Sequence, residues 1–188
     1  MHLRFNAIND IPEPGIKWLE MVTEFWPSYS NWLNTQEGYV PPSLGEAQEA
    51  LYAFMPEMYP TYTKLCELLN AGEALATFLT GFKLPAYITS CSQAVFKKND
   101  VIQIVRNNDY HPDLLEGVFL LTNFQGKKVM GMSDCLFGLL DGVNDKGLSV
   151  SLSFGGRKEV GYGFGIPFIL RYILETCTTV NEAADALA

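Results

Sequence analysis

The chain has 188 residues, a length that fits one ordinary domain or a modest domain with an appended segment. With 48% hydrophobic and 18% charged residues, it has the composition of a globular protein and not of a disordered or membrane-spanning one. A net charge of -8 argues against a nucleic-acid partner, because proteins that bind the phosphate backbone gather Lys and Arg on one face.

The start of the chain lacks the basic residues, apolar stretch and small-residue cleavage site of a secretory signal, which predicts a cytoplasmic location. Four cysteines in such a compartment are expected to be thiols, and none belongs to a CxxC pair, so neither a metal nor a cofactor is expected. The apolar run at 163–174 is too short to span a bilayer and is interrupted by Pro167 and Arg171. No membrane partner is therefore expected.

Residues 11–82 are predicted to form about four short amphipathic helices, because apolar residues such as Trp18 and Met21 recur there at three- and four-residue spacings. Ser43 and Glu46 have the spacing of a capping box, which marks the start of one helix. The tryptophans of this part are expected to fill the contact with the rest of the chain.

After about residue 84 the pattern changes to short β-rich segments separated by turn residues. The six predicted strands span 86–96, 101–106, 117–124, 128–133, 137–143 and 148–154. Turn residues at 98–100, 125–127 and 144–147 predict that consecutive strands pair as antiparallel neighbours. Helices are then predicted from Pro167 to Cys177 and from Val180, the latter with Thr179 as its N-cap. This order of elements predicts the α+β class.

Several common catalytic centres do not fit the sequence. The chain has two histidines, His2 and His111, and a Cys-His dyad would need His111, which is expected to lie in a turn beside Pro112. Neither the GxSxG stretch of many serine hydrolases nor a glycine-rich loop ending in GK[ST] is present. The glycines at 155–156 and 161–165 are instead expected to form a mobile loop near a site.

Cys91 is the candidate nucleophile that remains. It lies in the first predicted strand, and Arg106 and Asp109 lie at the end of the second strand, one hairpin away. Pairing of these strands would bring Arg106 within side-chain reach of Cys91. An adjacent guanidinium favours a thiolate, and a carboxylate held by that arginine can orient an amine or bind a substrate N–H. The alternative is that Cys91 is a small core residue and that Arg106 and Asp109 form a buried ion pair.

Three blocks of sequence follow one another in this region: Ser90-Cys91-Ser92, RNNDY at 106–110 and DGVNDKGLSV at 141–150. In order and spacing they resemble the acyl-CoA:6-aminopenicillanic acid acyltransferase family (peptidase C45), with choloylglycine hydrolases and penicillin V acylases as more distant relatives. The likeness covers residues 84–188.

The resemblance implies a cysteine N-terminal-nucleophile (Ntn) enzyme whose precursor cleaves itself between Ser90 and Cys91. Cys91 would then carry both a thiol and a free α-amine. Because an α-amine titrates at about pH 7.7–8.0 and a thiol at about pH 8.5, the amine can take the thiol proton without any histidine. Carried over by position, Cys91 is the nucleophile, and Arg106 and Asp109 bind and orient the amide and the α-amine. Ser153 falls where relatives have an asparagine or tyrosine that stabilises the oxyanion.

Other candidate residues come from the sequence around these blocks. Asn108, Tyr110 and Phe154 are the candidate substrate-binding residues, although Asn108 suits the scaffold and the two aromatic side chains suit the core as well as an apolar acyl group. Because serine is a shorter donor than asparagine, backbone N–H groups are expected to carry more of the oxyanion stabilisation than Ser153 does. Asn144 is expected to hold the turn between two strands.

The resemblance divides the chain into a helical, propeptide-like segment at 1–82 and the N-terminal part of an Ntn-hydrolase domain at 83–188. Members of the family form an αββα sandwich with further strands beyond the point where this sequence stops, so the sandwich is expected to be incomplete at its C-terminus. Because isolated domains avoid open sheet edges and uncovered apolar faces, the remaining part of the same chain or a second copy is the expected partner.

The expected function is hydrolysis or transfer of the acyl group of a linear amide or thioester, acyl-CoA included, through an acyl-cysteine intermediate. An inactive or unprocessed relative that serves as a binding or assembly module is the alternative. A conventional cysteine hydrolase that uses His111 is a third interpretation.

Overall fold

The structure is a computed structural model that describes residues 4–9, 13–86, 90–109, 114–154 and 161–188. Within these ranges the helices are α1 (Ile16–Thr35), α2 (Leu44–Phe54), α3 (Tyr59–Leu69), α4 (Glu73–Leu79), α5 (Ile166–Thr176) and α6 (Val180–Asp185). The strands are β1 (Asn6–Asn9), β2 (Ser90–Lys98), β3 (Val101–Asp109), β4 (Val118–Thr122), β5 (Val129–Asp134), β6 (Gly138–Asn144) and β7 (Ser149–Ser151). The predicted helices and the six predicted strands are all present, with their ends shifted by a few residues.

Two helix starts are fixed by the caps that the sequence predicts. The Ser43 side chain accepts a hydrogen bond from the Glu46 backbone N–H at the start of α2. Thr179 accepts one from Glu182 N–H at the start of α6 in the same way. Each cap satisfies a backbone donor that has no partner inside the helix, which is why these boundaries can be predicted locally.

The strands form one five-stranded sheet, in the order β1-β4-β5-β6-β7, and a separate hairpin of β2 and β3. The run from β4 to β7 pairs antiparallel, as predicted, and so do β2 and β3. The predicted pairing of consecutive strands is wrong between β3 and β4, which lie in different sheets. The edge strand β1 pairs parallel with β4 and was not predicted, because Ile8 is its one large apolar residue. The α+β class is confirmed, and the αββα sandwich stays a prediction.

One face of the five-stranded sheet packs against helices in a continuous core. Trp18 of α1 is fully buried there, and its ring lies 5.5 Å from that of Phe124 and 6.0 Å from that of Phe137. Its indole N–H donates to Leu136 O at 3.0 Å. The first third of the chain therefore shares its core with the sheet, and the prediction for the tryptophans is confirmed for Trp18, whereas the Trp26 ring packs on Phe78 within the helical part.

The other face of the sheet carries exposed apolar side chains. Phe119 is 45% exposed and Met130 is 53% exposed. Together with Ile102 and Ile104 of the hairpin they border an open cavity of about 1000 Å³. The hairpin therefore stands over this face and leaves space between the two.

The loop at 161–165, predicted to be mobile, is held to the end of the helical segment in the structure. Gly165 N–H donates to Gly81 O, and Lys83 N–H donates to Gly163 O, each at 2.7 Å. Lys83 also forms an ion pair with Glu46 at 2.7 Å. The glycines at 155–156 lie outside the described residues.

The predicted thiols are confirmed, since Cys66, Cys91, Cys135 and Cys177 are all free. Across the described ranges, no group of three or more His, Cys, Asp and Glu side chains is placed to hold a metal ion. None of the helices described here combines the length and the apolar composition needed to cross a membrane.

Candidate active site

The hairpin places Arg106 beside Cys91. In the antiparallel register Cys91 lies opposite Asn108, and Gln93 lies opposite Arg106. Because alternate residues of a strand face the same side, Cys91 and Arg106 are diagonal neighbours on one face of the hairpin. Arg106 Nη2 lies 3.7 Å from Cys91 Sγ, a hydrogen-bond distance for sulfur. The predicted approach of Arg106 to Cys91 is confirmed.

The turn of the hairpin explains why this register holds. Asn99 and Asp100 adopt positive φ angles of 49° and 63°. Two successive left-handed residues define a type I′ turn, whose twist matches that of paired strands, and Asn and Asp are among the residues that adopt it most easily. The turn thus fixes which residues of β2 and β3 face each other.

Arg106 also binds a carboxylate on the neighbouring sheet. Its Nη1 lies 3.0 Å from Asp141 Oδ1 and donates to Leu140 O at 3.1 Å. The Arg106 side chain is 5% exposed and that of Asp141 is 32% exposed. The hydroxyl of Ser151 donates to the same carboxylate oxygen of Asp141. A polar chain therefore runs from Ser151 through Asp141 and Arg106 to Cys91.

A β-bulge positions the Asp141 carboxylate. The register between β5 and β6 shifts beside Met132, which pairs with Asp141, while Ser133 pairs with Leu139. The extra residue, Leu140, points its carbonyl to Arg106, and such bulges commonly redirect side chains next to functional sites. Asp141 then faces Ser151 directly across β6 and β7, which accounts for their hydrogen bond.

The DGVN block is built around contacts with helix α5. A side chain at Gly142 would place its Cβ 2.6 Å from Leu174 Cδ1, so glycine is needed for the helix to approach. The Asn144 amide donates to Leu174 O and Cys177 O, and its Oδ1 accepts from the backbone N–H groups of Lys146 and Leu148. The prediction that Asn144 holds this turn is confirmed.

The thiol lies where apolar and polar surroundings meet. Cys91 is half-buried and packs against a cluster that contains Leu140, Leu152 and Leu170. The cavity of about 1000 Å³ under the hairpin has Arg106 and Asp141 in its lining beside many apolar side chains. Arg106 therefore links the two, since it lines the cavity and contacts Cys91 Sγ, which is not itself in the lining.

The other predicted site residues that the structure describes lie near the ends of strands. Asp109 lies opposite Ser90 at the open end of the hairpin, next to the predicted cleavage bond, with its side chain exposed. Ser153 lies beyond the end of β7 with its side chain exposed, and Phe154 is half-buried. The structure describes Asn108 only through its register opposite Cys91.

Tyr110, His2 and His111 lie outside the described residues, so the roles proposed for Tyr110 and His111 stay predictions. The sequence interpretation gave no role to Asp141 or Ser151. The signal for Asp141 was present, since a carboxylate stands there in the apolar run Leu139-Leu140-Asp141-Gly142-Val143.

Comparison with known proteins matches the second half of the chain to a family. The model of the acyl-coenzyme A:6-aminopenicillanic acid acyl-transferase family matches residues 95–188, which is half of the chain. Arg106, Asp109, Asp141 and Ser151 lie inside the match, which begins shortly after Cys91. No curated protein and no solved structure matches the chain. By its family match the chain belongs to the acyl-coenzyme A:6-aminopenicillanic acid acyl-transferase family.

Proposed function

We propose that the protein is a cysteine Ntn amidohydrolase or acyltransferase that acts on linear amides or thioesters through an acyl-cysteine intermediate. The observation that carries the proposal is the contact of Arg106 Nη2 with Cys91 Sγ at 3.7 Å in a member of an acyl-transferase family. A guanidinium at this distance donates a hydrogen bond to the sulfur and can hold it in place for attack on a carbonyl.

Self-processing is the first step of the proposed mechanism. Cys91 Sγ attacks the carbonyl carbon of Ser90, the peptide C–N bond breaks, and the thiol proton passes to the departing α-amine of Cys91. Water then hydrolyses the resulting thioester, which leaves the Ser90 carboxylate and a free Cys91 thiol. Asp109 supports this step by its place opposite Ser90, at the end of the hairpin.

Turnover uses the α-amine that processing releases. The amine takes the thiol proton, and the thiolate attacks the substrate carbonyl while Arg106 holds the sulfur and Asp109 orients the amine. The leaving amine or thiol takes the proton back, which leaves an acyl-cysteine. Water or an acceptor amine then attacks the thioester and regenerates the thiol. Ser153 and backbone N–H groups are the proposed oxyanion donors, and no cofactor takes part.

The cavity under the hairpin is the proposed binding site for an apolar acyl group. Its lining includes Ile102, Ile104 and Phe119, with the polar groups of Arg106 and Asp141 among them. Such a lining suits a hydrocarbon chain whose carbonyl lies near the thiol. Asn108, Tyr110 and Phe154 remain the proposed substrate-binding residues, and acyl-CoA is a candidate donor.

Intact mass spectrometry on fresh and aged protein tests the proposal. Wild type is expected to yield pieces that end at Ser90 and begin at Cys91, while Cys91→Ala stays whole. Cys66→Ala is the matched control, since Cys66 is also a half-buried free thiol, and it is expected to process normally. A wild type that stays whole would favour the unprocessed binding module, and cleavage of Cys91→Ala would exclude Cys91 as the nucleophile.

A further inference from the structure

A second cavity lies in the helical part of the chain, away from the thiol. It measures about 480 Å³ and is lined by α1, α4, the loop between α1 and α2, and the residues that follow α4. None of its lining residues borders the cavity under the hairpin. Its volume falls within the range of small-molecule sites, which is about 300–1000 Å³.

Four of the residues that line this cavity are aromatic, and the lining also includes the polar residues Ser30, Asn34, Gln36 and Thr77. Trp26 and Phe78 both line it, with ring centroids 5.4 Å apart, and Phe82 contributes a ring that is 1% exposed. Tyr39 lies at the same cavity, and burial raises the pKa of its hydroxyl, so the phenol stays neutral. Phe78 and Phe82 are buried, whereas Trp26 and Tyr39 are half-buried and keep surface that can contact a flat apolar ligand or a cation.

The charge of the lining selects between ligands. Among the described lining residues, Glu73 in the first turn of α4 is the one acidic residue. The lining holds neither Lys nor Arg. A ligand with a carboxylate or phosphate group would find no positively charged side chain in this lining. An ammonium group would contact the exposed Glu73 carboxylate and the half-buried rings of Trp26 and Tyr39.

We propose that this cavity binds a primary amine carried on an aromatic or cyclic apolar body. The site is independent of Cys91 and of the proposed acyl chemistry, because it is built from residues outside the polar chain that contains Arg106 and Asp141. Its predicted ligand is a small organic cation of one or two rings.

Titration calorimetry with two probes of the same ring tests the proposal. In full-length Cys91→Ala, which cannot consume a ligand through the thiol, 2-(1-naphthyl)ethylammonium is expected to bind at least about tenfold more tightly than 1-naphthylacetate. Equal binding of the two probes, or no binding of the amine, would overturn the proposal.

Two pairs of variants assign the binding to this cavity. Ala74→Trp places a large ring at an exposed lining position and is expected to abolish amine binding, whereas Ala53→Trp, at an exposed position of α2 outside the lining, leaves it unchanged. Glu73→Gln is expected to weaken amine binding about three- to fivefold, and Glu49→Gln, also exposed, to have no effect. Melting curves verify that each variant is folded. Amine binding that survives Ala74→Trp would place the ligand elsewhere and refute the proposal.

Discussion

Asp141 holds Arg106 in an ion pair in which Asp141 Oδ1 lies 3.0 Å from Arg106 Nη1. The same nitrogen donates to Leu140 O, so one end of the guanidinium is fixed by two acceptors. The other end, Nη2, contacts Cys91 Sγ. Because the guanidinium is planar and rigid, fixing one nitrogen sets the place of the other. We therefore expect Asp141 to position Arg106, and through it the thiol.

Replacement of Asp141 by asparagine tests this role. The amide keeps an acceptor oxygen but removes the charge, which turns a charge-assisted hydrogen bond into a weaker neutral one. We expect Asp141→Asn to slow processing at Cys91 and acyl transfer about 10- to 100-fold, as other small misplacements of catalytic groups do. The measurements are the rate at which the fragments form and kcat and KM with a model amide.

Asp145→Asn is the matched control, since Asp145 lies in the next turn and pairs with Lys146 at 3.9 Å. It is expected to retain wild-type rates. Asp141→Glu, which restores the charge, is expected to recover part of the lost kcat. Wild-type kinetics in Asp141→Asn would show that Leu140 O alone is enough to position Arg106.

The contacts of helix α1 predict that the N-terminal piece stays bound after processing. Trp18 is fully buried between helix and sheet, and its ring also lies 5.6 Å from the guanidinium carbon of Arg171. We expect cleaved protein to elute as one species in native size-exclusion chromatography and to give two bands on a denaturing gel. Separate native peaks would mean that the shared core is too weak to hold the two pieces.

The contribution of Trp18 to stability can also be measured. Trp18→Ala is expected to lower the free energy of unfolding by about 3–5 kcal/mol, because it removes a buried aromatic side chain and leaves a cavity. Tyr52→Ala is the control, since Tyr52 is 66% exposed, and it is expected to cost about 0.5 kcal/mol. Urea denaturation in the Cys91→Ala background, which is expected to keep the chain whole, provides the measurement for both variants.

The parts that could be predicted from the sequence are those set by local chemistry. The caps at Ser43 and Thr179 act within one turn, and the turn at Asn99 and Asp100 fixes the hairpin that brings Arg106 to the thiol. Each of these depends on residues close together in the chain. Local patterns were therefore sufficient for the helix starts and for the contact with Cys91.

The parts that could not be predicted depend on distant pairing. Strand β1 finds its parallel partner β4 more than a hundred residues away, and its short polar sequence gives no periodic signal. The ion pair of Arg106 with Asp141 joins a hairpin to a separate sheet, so neither spacing nor strand pattern indicates it. Ser151 enters the site only because β6 and β7 pair in one particular register.

The buried carboxyl of Glu116 is expected to make the stability of the protein depend on pH. It is 2% exposed, and its Oε1 accepts hydrogen bonds from Tyr29 Oη at 2.9 Å and Leu136 N at 2.7 Å. Burial raises the pKa of this carboxyl, while its hydrogen bonds and the charge of Arg171 oppose the rise. Asp134 also faces the same Tyr29 hydroxyl. A carboxyl with a raised folded-state pKa stabilises the protein below its unfolded pKa, and this contribution is lost as the pH rises through the folded pKa.

Glu116→Gln removes the charge but keeps an oxygen that accepts both hydrogen bonds. We expect the free energy of unfolding at pH 7 to rise and its fall between about pH 4.5 and 7 to become smaller. Urea denaturation at both pH values is the measurement, with the exposed Glu24→Gln as the control that leaves the pH profile unchanged. A wild-type pH profile in Glu116→Gln would show that another group carries the dependence.

Gly81 lies where the helical segment meets the loop before α5, and its conformation predicts a strict need for glycine. Its φ is +71°, and an added Cβ would lie 2.2 Å from Phe168 Cγ, inside any allowed contact. Gly81 also accepts the hydrogen bond from Gly165 N–H, so the backbone has little freedom to move away. We expect Gly81→Ala to lower the free energy of unfolding by about 2–4 kcal/mol, from left-handed strain and overpacking together.

Gly45→Ala is the matched control, because it adds the same methyl group at an open position. Gly45 lies in α2 with nothing within 4 Å of the added Cβ, so alanine is expected to stabilise the protein by about 0.5 kcal/mol through its helix propensity. Urea denaturation of both variants in the Cys91→Ala background gives the two values. If Gly81→Ala were as stable as its parent, Phe168 and the loop held by Gly165 would have to shift without cost, and the close approach of α5 to this turn would not contribute to the fold.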